Sequence, residues 1–202
     1  MSEGAARART GRPQATTHRD IEVAALELFA ARGFEHVSVA DIATAAGISR
    51  RTFFRYYGSK NDVVWGDFDR LLAAMERGLE RSGDGPLLAA ITDVVIRFNT
   101  FPDEAVPAHR LRMSLILHTP ALQAHSALRY ADWRAVIARH AARRLGQPVD
   151  ALVPQLVGHV ALAAAVTAHE QWLADPSAIL SPLIRESFDR LSIELGGPST
   201  SR

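Results

Sequence analysis

The stretch Ala46-Gly47-Ile48-Ser49 constrains this chain more than any other, because it joins two apolar-periodic runs that are each too short to stay helical alone. Isolated helices under about 12–15 residues are marginal in water, so such runs persist only by packing on each other and on a neighbour. Ser38, with Asp41 three residues on, forms a capping-box signal. Val39, Ile42, Ala43 and Ala46 then supply a buried side up to Gly47. Ser49 caps the second run, Arg50 to about Tyr56, which stops at Gly58. Two short helices meeting at a glycine turn are a helix-turn-helix, in which the first helix is buried and the second presents a face outward.

The rest of the chain carries the same helical period. Ile21, Ala24, Ala25, Leu28 and Phe29 repeat at three- and four-residue steps up to Gly33, which gives the supporting helix. After Gly58, Ser59 and Asp62 cap a long helix carrying Val63, Val64, Phe68, Leu71, Leu72, Met75 and Leu79. Gly83, Gly85 and Pro86 break the chain before an apolar helix that ends near Pro102. Further starts fall at Pro107, Thr119-Pro120, Asp150, and Asp175-Pro176 or Ser181-Pro182. No alternating strand pattern and no repeat occurs. The expected fold is all-α with about nine helices: a flexible basic arm over 1–16 holding Arg7, Arg9 and Arg12, a three-helix helix-turn-helix unit over 17–63, a helical bundle for ligand binding and dimerisation over 64–196, and a disordered tail over 197–202.

Charge and chemistry point this architecture at DNA. Residues 1–60 hold nine Lys/Arg against six Asp/Glu, a net +3 in a chain whose total is +1. That asymmetry is small, so the motif carries the argument. In the second helix Phe53 and Tyr57 lie on one side, four residues apart, and the remaining residues spread over the others. Arg50, Arg51 and Arg55 can donate twice to a guanine edge. The hydroxyls of Thr52 and Tyr56 suit bases or phosphates, and Lys60 and Ser38 stand at helix starts where phosphate is held. Each residue alone serves equally well as a cap, a core group or a solvated charge; the coincidence of cap, turn, aromatic and basic positions favours a reading helix.

The segments Leu28-Phe29, Gly33-Phe34, Val39-Ala40-Asp41-Ile42-Ala43, Ala46-Gly47-Ile48-Ser49, Thr52-Phe53-Phe54-Arg55-Tyr56-Tyr57 and Ser59-Lys60 together resemble the TetR-family N-terminal domain over roughly residues 18–65. The resemblance implies DNA contacts from Ser38, Arg50, Arg51, Thr52, Phe54, Tyr56 and Lys60, with Tyr57 packed inward and the arm along the backbone or minor groove. Ser49, a further hydroxyl at a helix start, completes the candidate set. The chain departs from the pattern at Tyr56, where many members have His, and at Phe54, where many have Tyr and so a hydroxyl. A narrower likeness runs from Arg51 to Asn61 and through Trp65-Gly66-Asp67-Phe68, Phe98-Asn99-Thr100-Phe101 and Thr119-Pro120-Ala121-Leu122-Gln123. These segments are similar to the mycofactocin-system regulator subgroup, which implies repression of genes for that peptide-derived redox cofactor and a long-chain acyl-CoA as effector.

Beyond residue 84, Phe98, His109, Arg112, His118, Trp133, His159, His169 and Trp172 stand in apolar surroundings and are candidates to line a ligand pocket, with Arg110, Arg112 or Arg129 near its mouth for a phosphate or carboxylate. A lone histidine or tryptophan is more often structural, so each position is open. Gly158 within the Ala-rich run Leu156 to Ala168, and the stripe Leu183, Ile184, Phe188, Leu191 and Leu195, suit a homodimer interface through the last two helices or an intramolecular bundle.

Several classes are excluded. Zero cysteines remove disulfides, thiol catalysis and thiolate metal sites, and no two histidines lie three or four residues apart on one helix, so neither a metal nor a cofactor is expected. Nucleophile-elbow, phosphate-loop and dinucleotide fingerprints are missing, which argues against an enzyme. With no apolar signal core and no uninterrupted apolar run of about 18 residues, the expected location is the cytoplasm, away from the membrane. The rival expectation is a helical adaptor whose N-terminal motif is structural only.

Overall fold

The computed structural model describes residues 17–194, with side chains through residue 191. The expected arm over 1–16 and the tail over 197–202 lie outside the described residues, as does Leu195. Ten α-helices and one 3-10 turn, with no strand, make up the described chain. The first three are α1 (His18–Arg32), α2 (Val39–Ala45) and α3 (Arg50–Tyr56). Each begins at a side-chain cap: Thr17 with Asp20, Ser38 with Asp41, and Ser49 accepting from the Thr52 amide. Gly47 makes the turn between α2 and α3 in the left-handed region, at φ +65°. Ile21, Phe29, Phe34, Val37, Ile42 and Phe53 form the head's core, all nearly or wholly inaccessible. Burial of each aromatic or aliphatic side chain there contributes about 1.5–3 kcal/mol.

The long helix expected after Ser59 is two helices. α4 (Lys60–Trp65) ends at Gly66, and α5 (Phe68–Glu80) starts two residues later. The residue that divides them has φ +56°, where an L side chain is strained, so the helical period continues across a bend that the apolar spacing alone does not reveal. This division accounts for ten helices rather than about nine.

The body continues with α6 (Leu87–Phe98), a 3-10 turn at Asp103–Ala105, α7 (Val106–His118), α8 (Pro120–Leu145), α9 (Leu152–Ala174) and α10 (Leu180–Glu194). Pro120 opens α8 and Gly146 closes it in the left-handed conformation, as the sequence signals predict, but Thr119 before it makes no side-chain cap. Two expected starts differ. α9 is preceded by Ala151 without a side-chain cap, and Asp150 lies in the turn before it. Asp175 caps a turn instead, accepting from the Ser177 amide and hydroxyl. Of the two alternative starts expected for α10 the second holds, because the helix begins at Leu180 with Ser181 and Pro182 in its first turn.

α8 and α9 pack against each other over most of their length, and α10 covers α9 from the other side. Gly158 permits this: a Cβ there would stand 2.9 Å from the Arg134 carbonyl oxygen of α8. The close approach that the small-residue run makes possible is therefore inside the protomer. Ile184 and Phe188 of the α10 stripe also turn into the protomer core. α9 is long and apolar enough to cross a membrane by length and composition alone, and 39% of its most apolar 18-residue window is buried within the protomer. Leu152, Val153 and Leu156 on its first turns remain exposed, as do Leu145 and Val149 just before it.

Candidate nucleic-acid interface and ligand cavity

Helix α3 divides its residues cleanly. Phe53 is fully buried and Tyr57, just past the helix end, nearly so; Arg50, Arg51, Phe54 and Arg55 line the outward side; and Thr52 and Tyr56 are only partly covered. Ser38 and Ser49 are also accessible at the starts of α2 and α3. One outward surface thus carries three guanidinium groups, hydroxyls and a half-exposed phenyl ring. Phe54 stands edge-on to Phe53 with ring centres 5.5 Å apart, and Tyr56 packs edge-on to His18 of α1 at 4.6 Å. Lys60 also braces the head. Its ammonium donates to the Phe34 and Val37 carbonyls at 2.8 and 3.0 Å and lies over the Phe34 ring, which ties the α1–α2 connection to the start of α4.

Behind the head, α1, α4, α5, α6, α7, α8 and α9 enclose a cavity of about 660 Å³. Of the expected lining residues, Phe98, His109, Arg112, Trp133 and His169 stand on its wall. Trp172 does not; it packs behind His109 and His169, with ring centres 5.6 and 6.1 Å away. His118 and His159 are exposed on the outer surface, because three- and four-residue spacing does not identify which side of a buried helix faces the hollow. Neither Arg110 nor Arg129 guards a mouth. Arg110 clamps α7 to the α9–α10 turn by donating to the carbonyls of Trp172, Asp175, Pro176 and Ala178 while lying 4.2 Å over the Trp172 ring. Arg129 joins α8 to the head side through Asp62 at 3.7 Å and Asp69 at 2.9 Å.

Sequence reasoning missed the wall that the head contributes. His18, Glu22, Val23 and Leu26 of α1 line the cavity, as do Trp65 and Tyr130. Nothing in the local pattern of α1 distinguishes Glu22 from an ordinary surface acid. In the folded chain its side chain is only 15% exposed and pairs with that of Arg112 of α7, 20% exposed, at 2.8 Å. Its other oxygen accepts a hydrogen bond from the Tyr57 hydroxyl at 3.1 Å. Burial and the neighbouring Glu22 charge hold the Tyr57 phenol well above its ordinary pKa. Gly66 is required at this junction: a Cβ there would collide with the Arg112 guanidinium and come 2.7 Å from a Glu22 oxygen.

Four cavity residues hold buried polar atoms without a hydrogen-bond partner among the described residues: Trp65 Nε1, Tyr130 Oη, His109 Nε2 and His169 Nε2. Their protonation follows from burial. His169 Nδ1 lies 2.8 Å from the Ala165 carbonyl, so that nitrogen carries the proton and Nε2 is left as an acceptor. Burial lowers the His169 pKa. His109 is pushed down to about 3 by burial first, then by His169 and Arg112. Tyr130 is pushed up to about 12 by burial and the Glu170 charge. The interior is therefore apolar with neutral hydrogen-bonding groups and the shielded Glu22–Arg112 pair at its head-side end, while Arg19, Glu104 and the Asp67–Arg70 pair also line it.

A helix-turn-helix head joined to a helical body with a cavity is an architecture suited to a DNA-binding regulator. The family model for bacterial regulatory proteins of the tetR family matches residues 21–64, and the model for the MftR C-terminal domain matches residues 85–196. The chain belongs to the TetR family of bacterial transcription regulators. It is 46% identical, over 90% of its length and 92% of the relative's, to a Mycobacterium tuberculosis (strain ATCC 25618 / H37Rv) protein assigned as the mycofactocin biosynthesis transcriptional regulator MftR. Among solved structures, the Thermus thermophilus FadR repressor in complex with lauroyl-CoA aligns at 22% identity with a TM-score of 0.56, covering 87% of this chain and 93% of that one. A TetR-family structure from Syntrophomonas wolfei str. Goettingen aligns at 13% identity and a TM-score of 0.68, covering 92% and 97%. These two likenesses show the fold.

Proposed function

We propose that this TetR-family regulator is a cytoplasmic homodimeric repressor of mycofactocin-related genes, which grips a near-palindromic operator and lets go when a long-chain acyl-CoA enters the cavity. The outward face of α3 carries the reading: three exposed guanidinium groups on a helix whose opposite face is locked into the head core. Residues 17–63 act as the DNA-binding unit and 64–196 as the ligand-binding and dimerisation unit. Ser38, Ser49, Arg50, Arg51, Thr52, Phe54, Tyr56 and Lys60 form the DNA-contacting set. Arg50 and Arg51 suit guanine edges, while the caps and Lys60 suit phosphate. Lys60 would use the ammonium hydrogen that its two carbonyl partners leave over.

Two heads are needed because half-sites recur about 34 Å apart on one face of DNA. The half-exposed apolar surface of α9, with Leu152, Val153 and Leu156, supports pairing of a second copy against the last two helices. The 46% identity to the assigned mycofactocin regulator supports the gene set. The cavity's volume and the acyl-CoA in the FadR complex support the effector class. By linkage, a hundredfold loss of operator affinity on ligand binding needs about 2.7 kcal/mol of coupling.

Fluorescence anisotropy with the DNA upstream of the protein's own gene tests this reading, at two salt concentrations and with or without lauroyl-CoA. Tight binding that falls steeply with salt and weakens with lauroyl-CoA is expected. Arg51→Ala and Tyr56→Ala should each abolish specific binding without unfolding the protein. Unaltered binding by both variants would show that α3 is not the reading helix.

A further inference from the structure

We infer that the Glu22–Arg112 ion pair is the point where ligand and reading head compete: a molecule with an apolar body and an anionic oxygen head, carboxylate or phosphate, takes Arg112 away from Glu22 and thereby detaches Tyr57 from α1. This rests on the reading of the cavity as the effector site, and adds the ligand's charge and the route by which occupancy reaches α3.

Glu22 and Arg112 both line the cavity and both are largely shielded from solvent. The wall around them is apolar, with Val23, Leu26, Met113 and Ile116 among its members, so it suits a hydrocarbon body. Burial keeps His109 and His169 uncharged, and neither can balance an anion. Arg19 and Arg70, at the rim, are exposed to solvent, and Arg70 is ion-paired with Asp67. Arg112 is thus the shielded cation that an oxyanion entering the cavity meets, and its partner in the empty cavity is a carboxylate. A second oxyanion replaces Glu22 with similar charge-assisted hydrogen bonds. A neutral oxygen offers a weaker bond and does not displace it.

Displacement has a direction. Glu22, once without its guanidinium, is a shielded charge with no compensation, and a shielded unpaired carboxylate turns toward water. Its Oε1 is the acceptor for the Tyr57 hydroxyl. Tyr57 is the capping residue at the C-terminal end of α3, so this bond fastens the reading helix to α1. The remaining Tyr57 hydroxyl contact, to the His18 carbonyl, is longer at 3.3 Å. Gly66 allows the arrangement, because any side chain there would stand between Glu22 and Arg112. One carboxylate thus serves as the floor of the cavity and as the anchor of the reading helix.

The test uses the full chain without DNA, with amide hydrogen exchange of α3 as readout and laurate, lauroyl-CoA and dodecanol as probes; calorimetry measures their affinities. The anions should raise α3 exchange at least fivefold at saturation, and dodecanol should leave it unchanged. Laurate acting alone identifies a carboxylate head, whereas action by lauroyl-CoA only identifies the phosphates. Arg112→Gln should bind the active anion at least tenfold more weakly, keep its dodecanol affinity, and show the raised α3 exchange without any ligand. Arg112→Lys, which keeps the charge, should restore both anion affinity and slow exchange, separating a charge effect from a packing defect. Anions that bind the wild type without moving α3, anions that do not bind at all, or an Arg112→Gln variant with wild-type exchange would each overturn the inference. Failure of the regulator reading would show elsewhere, as loss of salt-dependent operator binding by the wild type.

Discussion

The head and the body treat their polar groups in opposite ways. In the head, helix starts are closed by partners three residues away: Thr17 with Asp20, Ser38 with Asp41, Ser49 with Thr52 and Ser59 with Asp62. Lys60 then saturates two loop carbonyls. In the body, Trp65, Tyr130, His109 and His169 face the cavity region with polar atoms that no described protein group meets. Unpaired buried polar groups cost about 1–3 kcal/mol each, so the body's hollow is held open at that cost. The head is complete as folded, and the body is not.

The comparison breaks most visibly at Phe53, the fully buried ring behind α3. Phe53→Ala should cost about 3–5 kcal/mol in a urea titration, since the ring is fully buried and its removal leaves a cavity in the head core. A loss below about 1 kcal/mol would mean the head is not tightly built. For the body, Gly158→Val should cost about 1–3 kcal/mol by forcing α8 and α9 apart where Gly158 now meets the Arg134 carbonyl.

Acid titration separates the halves by pH window: the buried histidines of the body act first as the pH falls, and the capping carboxylates Asp20 and Asp41 of the head, held low by Thr17 and Ser38, only at lower pH. His109 titrates near 3 in the folded chain against about 6.5 when unfolded, and His169 is lowered too, so between these values the unfolded state binds the extra protons. Stability is full above about pH 6.5 and falls as the pH drops toward 3, by up to about 1.4 kcal/mol per pH unit for each proton taken up. His109→Gln should flatten the slope of denaturation free energy against pH, and an unchanged slope would remove His109 from the account. The smallest expected effects form a matched pair. Ser49→Ala should lose about 1 kcal/mol with its cap, whereas His169→Leu should lose less or gain, because an unsatisfied nitrogen disappears. If His169→Leu is the more damaging of the two, its Nε2 has a partner in solution.

What is legible in the sequence follows the same division. Caps and turns act over three or four residues, so Ser38, Gly47, Ser49 and Gly146 can be read directly, and with them the head's three helices and most helix limits. The bend at Gly66 is hidden because apolar spacing on both sides agrees with one continuous helix. The cavity is half legible: Phe98, His109, Arg112, Trp133 and His169 stand out as polar or aromatic groups among aliphatics. Glu22 gives no such signal, since its partner is ninety positions away in the chain. Arg110 and Arg129 look like free cations for a ligand because their protein partners come from other helices.

The two-residue junction around Gly66 has a consequence for recombination. A regulator whose reading unit and sensing unit were independent cassettes could trade heads with its relatives and keep its response. Under the coupling proposed above, a graft keeps its response only if the incoming head supplies an acid at position 22 and a phenol at position 57, and if the receiving body keeps glycine at 66 and arginine at 112. Glu22, Tyr57 and Arg112 each lie more than thirty residues from the partner they hold. Exchange at the natural seam between the two units would therefore tend to yield heads that still bind DNA but no longer answer to the cavity.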